Sequence, residues 1–89
     1  MKIWKFELTI IQTQFVKMPL KSKILDIQMQ NGNPVLWALV DTDMSEIKAE
    51  VKINMYGTGW EIYENVLEDE YLATVQEGEL VWHFFLSLE

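Results

Sequence analysis

The chain has 89 residues, a net charge of −7, 49% apolar and 12% aromatic content with four Trp, and no cysteine. That apolar content lets one small domain build a core without staples, and the missing thiols exclude disulfides, thiolate metal sites and cysteine nucleophiles. All seven basic residues are Lys, so bidentate guanidinium contacts to phosphate or guanine are unavailable and direct nucleic-acid binding is not expected.

Residues 2–10 (KIWKFELTI) alternate, with Trp4, Phe6, Leu8 and Ile10 on an inner face, and read as a first strand. A weaker strand follows over Gln12 to Met18, with Phe15 or Val16 turned inward, and Pro19 ends it because proline cannot donate to a ladder. The stretch Lys23 to Asp41 then reads as a hairpin tipped by Asn31-Gly32, two residues that tolerate the positive φ of a tight turn. Its first arm alternates, with Leu25, Ile27 and Met29 on one side and Asp26, Gln28 and Gln30 on the other. Its second arm, VLWALV, is apolar on both faces and is expected at the centre of a sheet.

After a turn at 42–45, residues 46–56 place Ile47, Ala49, Val51, Ile53 and Met55 at period two, which favours a strand over a helix despite the Ala, Glu and Lys content. The Asp41-x-Asp43 spacing lacks the glycine and bidentate Glu of a calcium loop, and no metal site is expected. Residues 61–70 (EIYENVLEDE) read as a long loop or a single helical turn on the surface. A second hairpin turns around Glu77-Gly78, and its last strand is again apolar on both faces, with Leu80, Trp82, Phe84 and Leu86 opposite Val81 and Phe85. The expected fold is all-β: a single domain over residues 1–89, built as a small antiparallel β-sandwich or barrel of six to seven strands. Two doubly apolar strands are hard to cover within so short a chain, which predicts homo-oligomerisation through the C-terminal strand. Leu88-Glu89 has the look of a cloning-derived ending.

Candidate functional residues are few. Tyr56-Gly57-Thr58-Gly59-Trp60 is either a sharp turn between two aromatics or a loop that offers backbone N–H groups and stacking rings to a flat ligand. In the second case Tyr56 and Trp60 form the platform, and Thr58, Gly57, Gly59 and the single histidine, His83, complete a ligand site. His83 without a second histidine or a cysteine reads as a hydrogen-bonded strand residue, and no serine sits in a nucleophile elbow, so catalysis is unsupported. Residues 53–89 carry eight acidic residues and no Lys, whereas residues 1–25 carry five Lys against Glu7 alone. The acidity is either a solubilising face or a docking surface, in which Glu64, Glu68, Asp69 and Glu70 are the candidate partner contacts. No signal peptide and no apolar run near the ~18 residues of a membrane span is present, so no membrane association is expected and a cytosolic location is.

The opening MKIWKF, the pair Met18-Pro19, the hairpin KILxIQxQNGxPxLWALVD, the YGTG loop and the closing TxQxGxLVWHFF together resemble a family of small bacteriophage and prophage proteins without an established activity. In that family a histidine often follows Gly-Thr-Gly; Trp60 stands there in this chain, so a shared role for that position is not carried over. The resemblance implies a non-enzymatic, cofactor-free phage accessory protein in the bacterial host cytoplasm. Three functions are compatible with it: a sponge that sequesters a nucleotide-type immune signal, with Lys2, Lys5 and Lys23 gathered around its pocket; an acidic inhibitor of a host defence protein, with nucleic-acid mimicry as one form; and a minor structural or assembly protein.

Overall fold

The structure, a computed structural model, describes residues 1–88. Its strands are β1 (Lys2–Glu7), β2 (Thr13–Pro19), β3 (Lys23–Gln30), β4 (Asn33–Val40), β5 (Lys48–Gly57), β6 (Glu70–Glu77) and β7 (Leu80–Leu86), with short 3-10 turns at Thr42–Met44 and Glu64–Glu68. They form two antiparallel sheets, one ordered β1-β4-β3 and the other β2-β5-β7-β6. The all-β fold of six to seven strands expected from the sequence is observed, and of its two forms, sandwich or barrel, the two sheets make it the sandwich. No helix among the described residues is long and apolar enough to cross a membrane.

Each hairpin follows from its turn chemistry. Asn31 and Gly32 both have positive φ, 53° and 84°, and join Gln30 directly to its partner Asn33. Two positive dihedrals in a two-residue loop match the right-handed twist of the flanking strands. Pro34 is therefore already inside β4, opposite Met29, and its carbonyl accepts a hydrogen bond from Leu8 N–H at 3.0 Å. In the β6–β7 hairpin Glu77 pairs with Leu80, and Gly78 supplies the positive φ of 59°.

The core lies between the sheets. Ile27, Leu36, Ala38 and Val40 from the first sheet meet Met18, Ile53, Met55, Val75 and Phe84 from the second, and Leu8, just past the end of β1, completes the cluster. At one end the Lys48 ammonium sits over the Trp4 ring, 5.8 Å from its centroid. In β2 the choice between Phe15 and Val16 falls to Val16, which packs on the core while Phe15 stays exposed.

Two expectations change. β3 carries an irregularity between Ile24, opposite Ala38, and Asp26, opposite Trp37. The extra residue is Leu25, so Ile24 packs on the core with Ile27 and Met29, and Leu25 is left exposed. Asp26 holds the bulge: its Oδ1 accepts the Ile27 N–H at 2.8 Å and its Oδ2 accepts from Gln28 Nε2 at 2.8 Å. The second change concerns β7, which is hydrogen-bonded on both sides, to β5 and β6, and offers no open edge. Its outer residues Val81 and Phe85 are half-buried within the chain, so an oligomer formed through β7 would use this outer face and not a strand edge. The Glu89 half of the Leu88-Glu89 ending lies outside the described residues.

Candidate functional site

β5 ends in Tyr56 and Gly57, and strand alternation sends these neighbours to opposite faces. Gly57 lies level with Trp82 in the core-facing row, and Tyr56 with His83 in the outward row. The chain then turns tightly: Trp60 N–H donates to the Gly57 carbonyl at 3.2 Å, and Gly59 has φ 87°. A positive φ at the third residue of such a turn is the type II geometry, which glycine adopts without a steric cost.

This turn throws the Trp60 indole back over Gly57, where a Cβ would come within 2.6 Å of Nε1. There Trp60 meets Trp82 edge-to-face, with centroids 5.7 Å apart and planes at 76°. Trp82 in turn donates from Nε1 to Glu77 Oε1 at 3.4 Å. The five residues of the loop are thus one unit, but the flat-ligand platform expected of Tyr56 and Trp60 is not assembled, because the rings lie on opposite faces of the sheet.

Trp60 instead borders a cleft of about 320 Å³ with Gly57, Thr58, Leu80, Trp82 and Glu79, the last of these its one charged lining residue. Lys2, Lys5 and Lys23 do not surround it, since they belong to β1 and β3 of the other sheet. Lys23 lines a different cleft, of about 220 Å³, together with Glu70, Ser22 and Leu86.

His83 sits at the centre of a polar chain on the outer face of the second sheet. Its Nε2 is hydrogen-bonded to Thr58 Oγ1 at 2.7 Å and its Nδ1 to Thr74 Oγ1 at 2.9 Å, and Thr74 Oγ1 meets the Tyr71 hydroxyl at 2.7 Å. Beside this chain Phe85 is held edge-to-face by Tyr56 and Tyr71, with centroids 5.8 and 5.6 Å away. Burial, and secondarily the negative charge of Asp69, push the Tyr56 hydroxyl above the ordinary tyrosine pKa. Thr58 and His83 have the spacing of a nucleophile and its base. The third partner is the Thr74 hydroxyl, a neutral group that orients the ring. No group of three or more metal-ligating side chains is clustered among the described residues.

Residues 58–69 complete the region. β5 and β6 both run antiparallel to β7 and are therefore parallel to each other, which requires a long connection rather than a hairpin. Within it Trp60, Ile62, Tyr63 and Leu67 are exposed, Tyr63 to 87% and Leu67 to 83%. The four candidate acidic contacts divide. Glu64 and Glu68 bracket the 3-10 turn in solvent, whereas Asp69 is half-buried and accepts from Leu88 N–H at 3.4 Å, and Glu70 lines the smaller cleft. In the sequence this segment stands out by its carboxylates, and Ile62, Tyr63 and Leu67 do not stand out as contact residues. The signal was their lack of any period, which leaves apolar residues with no common face to bury.

No curated protein and no solved structure matches the chain. The model of one family, a domain of unknown function (DUF7352), matches residues 1–89, and the chain belongs to that family.

Proposed function

We propose that this chain is a binding protein rather than an enzyme, and that residues 60–70 are its docking surface for a protein partner that is basic and carries an apolar groove. The observation that supports the reading is the exposure of Trp60, Ile62, Tyr63 and Leu67 in one connection that also carries Glu61, Glu64 and Glu68. Large apolar side chains held in water are costly to solubility and typical of contact sites. Aromatic anchors ringed by charge supply affinity at the centre of an interface and steering at its rim. The resemblance to small phage proteins makes a host defence protein in the bacterial cytoplasm the partner class, blocked by occupancy. The test is affinity capture from host extract at low and high salt. The reading expects one host protein, retained at low salt, released by salt, and lost when Glu64 and Glu68 are changed to Lys. Capture indifferent to both changes overturns it.

A second reading is the sponge for a nucleotide-type signal, favoured by the cleft of about 320 Å³ against Trp60, a volume at the lower end of small-molecule sites. The charge around it is adverse, because Glu79 lines the cleft and no Lys does. Native mass spectrometry of protein recovered from immune-activated cells separates the two. A retained mass of nucleotide size, lost in Trp60→Ala, selects the sponge.

A further inference from the structure

The outer face of the first sheet carries an apolar column along its central strand: Val35, Trp37 and Leu39. Strand pairing sets a residue on each side of every member. Ile3 and Lys23 flank Leu39, Lys5 and Asp26 flank Trp37, and Glu7 and Gln28 flank Val35. Val35 is 2% exposed, and the bond from Lys5 Nζ to Gln30 Oε1, 3.0 Å, runs diagonally across β4 at its level. Trp37 and Leu39 are only half-buried, and beside them Ile3 is 60% and Leu25 44% exposed.

The charges flanking Trp37 are opposite in sign, and this antisymmetry decides what fits the face. Consider a second copy laid face to face with a two-fold axis running along β4. The axis exchanges left for right, so the Lys5 position of one copy lies over the Asp26 position of the other, twice, and a Lys5 ammonium turned from Gln30 to that carboxylate pairs with it, while Trp37 and Leu39 of the two copies meet on the axis. Ile3 then falls on the partner's Lys23, and Glu7 on the partner's Gln28. With the axis across the strands instead, Lys5 would meet Lys5 and Asp26 would meet Asp26. Self-complementarity of this kind is what an isologous contact requires, and two sheets packed with nearly aligned strands are an ordinary solution for burying apolar faces.

We propose that this face is the contact between two copies of the chain in solution, with the two-fold axis along β4. From strand spacing and rise, three strands of about seven residues offer roughly 300 Å² a side. That is well under the ~800 Å² a side of a standard stable interface, so the dimer is weak and concentration-dependent. It leaves the 60–70 connection of both copies open.

The test is sedimentation velocity of the full chain up to about 1 mM, a range in which weak contacts are populated. Wild type is expected to dimerise reversibly. Lys5→Asp and Asp26→Lys each place like charges in both contacts and are expected to weaken the dimer at least about tenfold. An equimolar mixture of the two variants restores it, because each mutated contact then pairs opposite signs. General charge repulsion predicts otherwise, since Asp26→Lys makes an acidic chain less negative and would strengthen a non-specific association. Asp26 also holds the β3 bulge, so a second pair of variants guards against loss of fold. Ile3→Lys, facing the partner's Lys23, weakens the dimer, whereas Ile3→Glu retains or tightens it. A monomeric wild type, a mixture of folded variants that stays monomeric, or a reversed order for the Ile3 pair overturns the proposal.

Discussion

The Trp60 indole lies on the α-carbon of Gly57, and no side chain fits between them: a Cβ there would meet Nε1 at 2.6 Å and Cε2 at 2.7 Å. Gly57 is therefore a glycine for close approach rather than for a special dihedral. Gly57→Ala is expected to evict Trp60 from Trp82, at a cost of about 1–3 kcal/mol. Trp60→Ala loses the same edge-to-face contact and a similar amount. Because both changes remove one interaction, the double variant is expected to cost no more than the larger single one. Urea titrations of the three proteins check this; additive losses would mean that the two residues act separately.

The bulge in β3 makes a sharper demand on neighbouring residues. Ile24→Ala removes a side chain packed on the core and is expected to cost about 1–3 kcal/mol, below the range for a fully buried site. Leu25→Ala changes an exposed residue and is expected to stay within about 0.5 kcal/mol. Thermal unfolding of both, at concentrations low enough to keep the chain monomeric, reads the difference. Equal losses would place Leu25 inward, as uninterrupted alternation requires.

These two regions show what the sequence makes legible. The hairpin at Asn31-Gly32, the central place of VLWALV and the period-two reading of β5 come through because turn chemistry and periodicity are local. Leu25 does not, because a bulge shifts the alternation by one residue without altering composition. The pairing of Tyr56 with Trp60 fails for a related reason. Four residues apart in sequence, they are separated by a turn whose direction is set by Gly59 and by the space above Gly57. His83 was legible as a hydrogen-bonded strand residue, but its partners Thr58 and Thr74 lie on two other segments that only the register brings together.

Tyr56 supplies a pH dependence with a definite sign. Its hydroxyl is raised above the ordinary value of 10.0 by burial and by Asp69, so the folded protein favours the neutral phenol more than the unfolded chain does. That contribution is fully present below pH 10.0 and is lost as the pH rises through the folded value. Tyr56→Phe has no such proton to lose. Its stability is expected to fall less steeply than that of wild type across the alkaline window above the ordinary value, while both behave alike at neutral pH. Denaturant midpoints across that window check the slope, and parallel curves for the two proteins would remove Tyr56 from the account.

The central claim is that the exposed apolar residues of the 60–70 connection grip a protein partner. The most direct measurement is a calorimetric titration of the captured host protein with wild type and with Tyr63→Ala/Leu67→Ala. Both residues stand almost wholly in solvent, so the fold should be untouched and the two proteins should melt together. The account predicts an affinity loss of about 30-fold or more, the size expected when two anchors of over 1 kcal/mol each are truncated. Unchanged affinity in the double variant would contradict it and move the binding surface elsewhere on the sandwich.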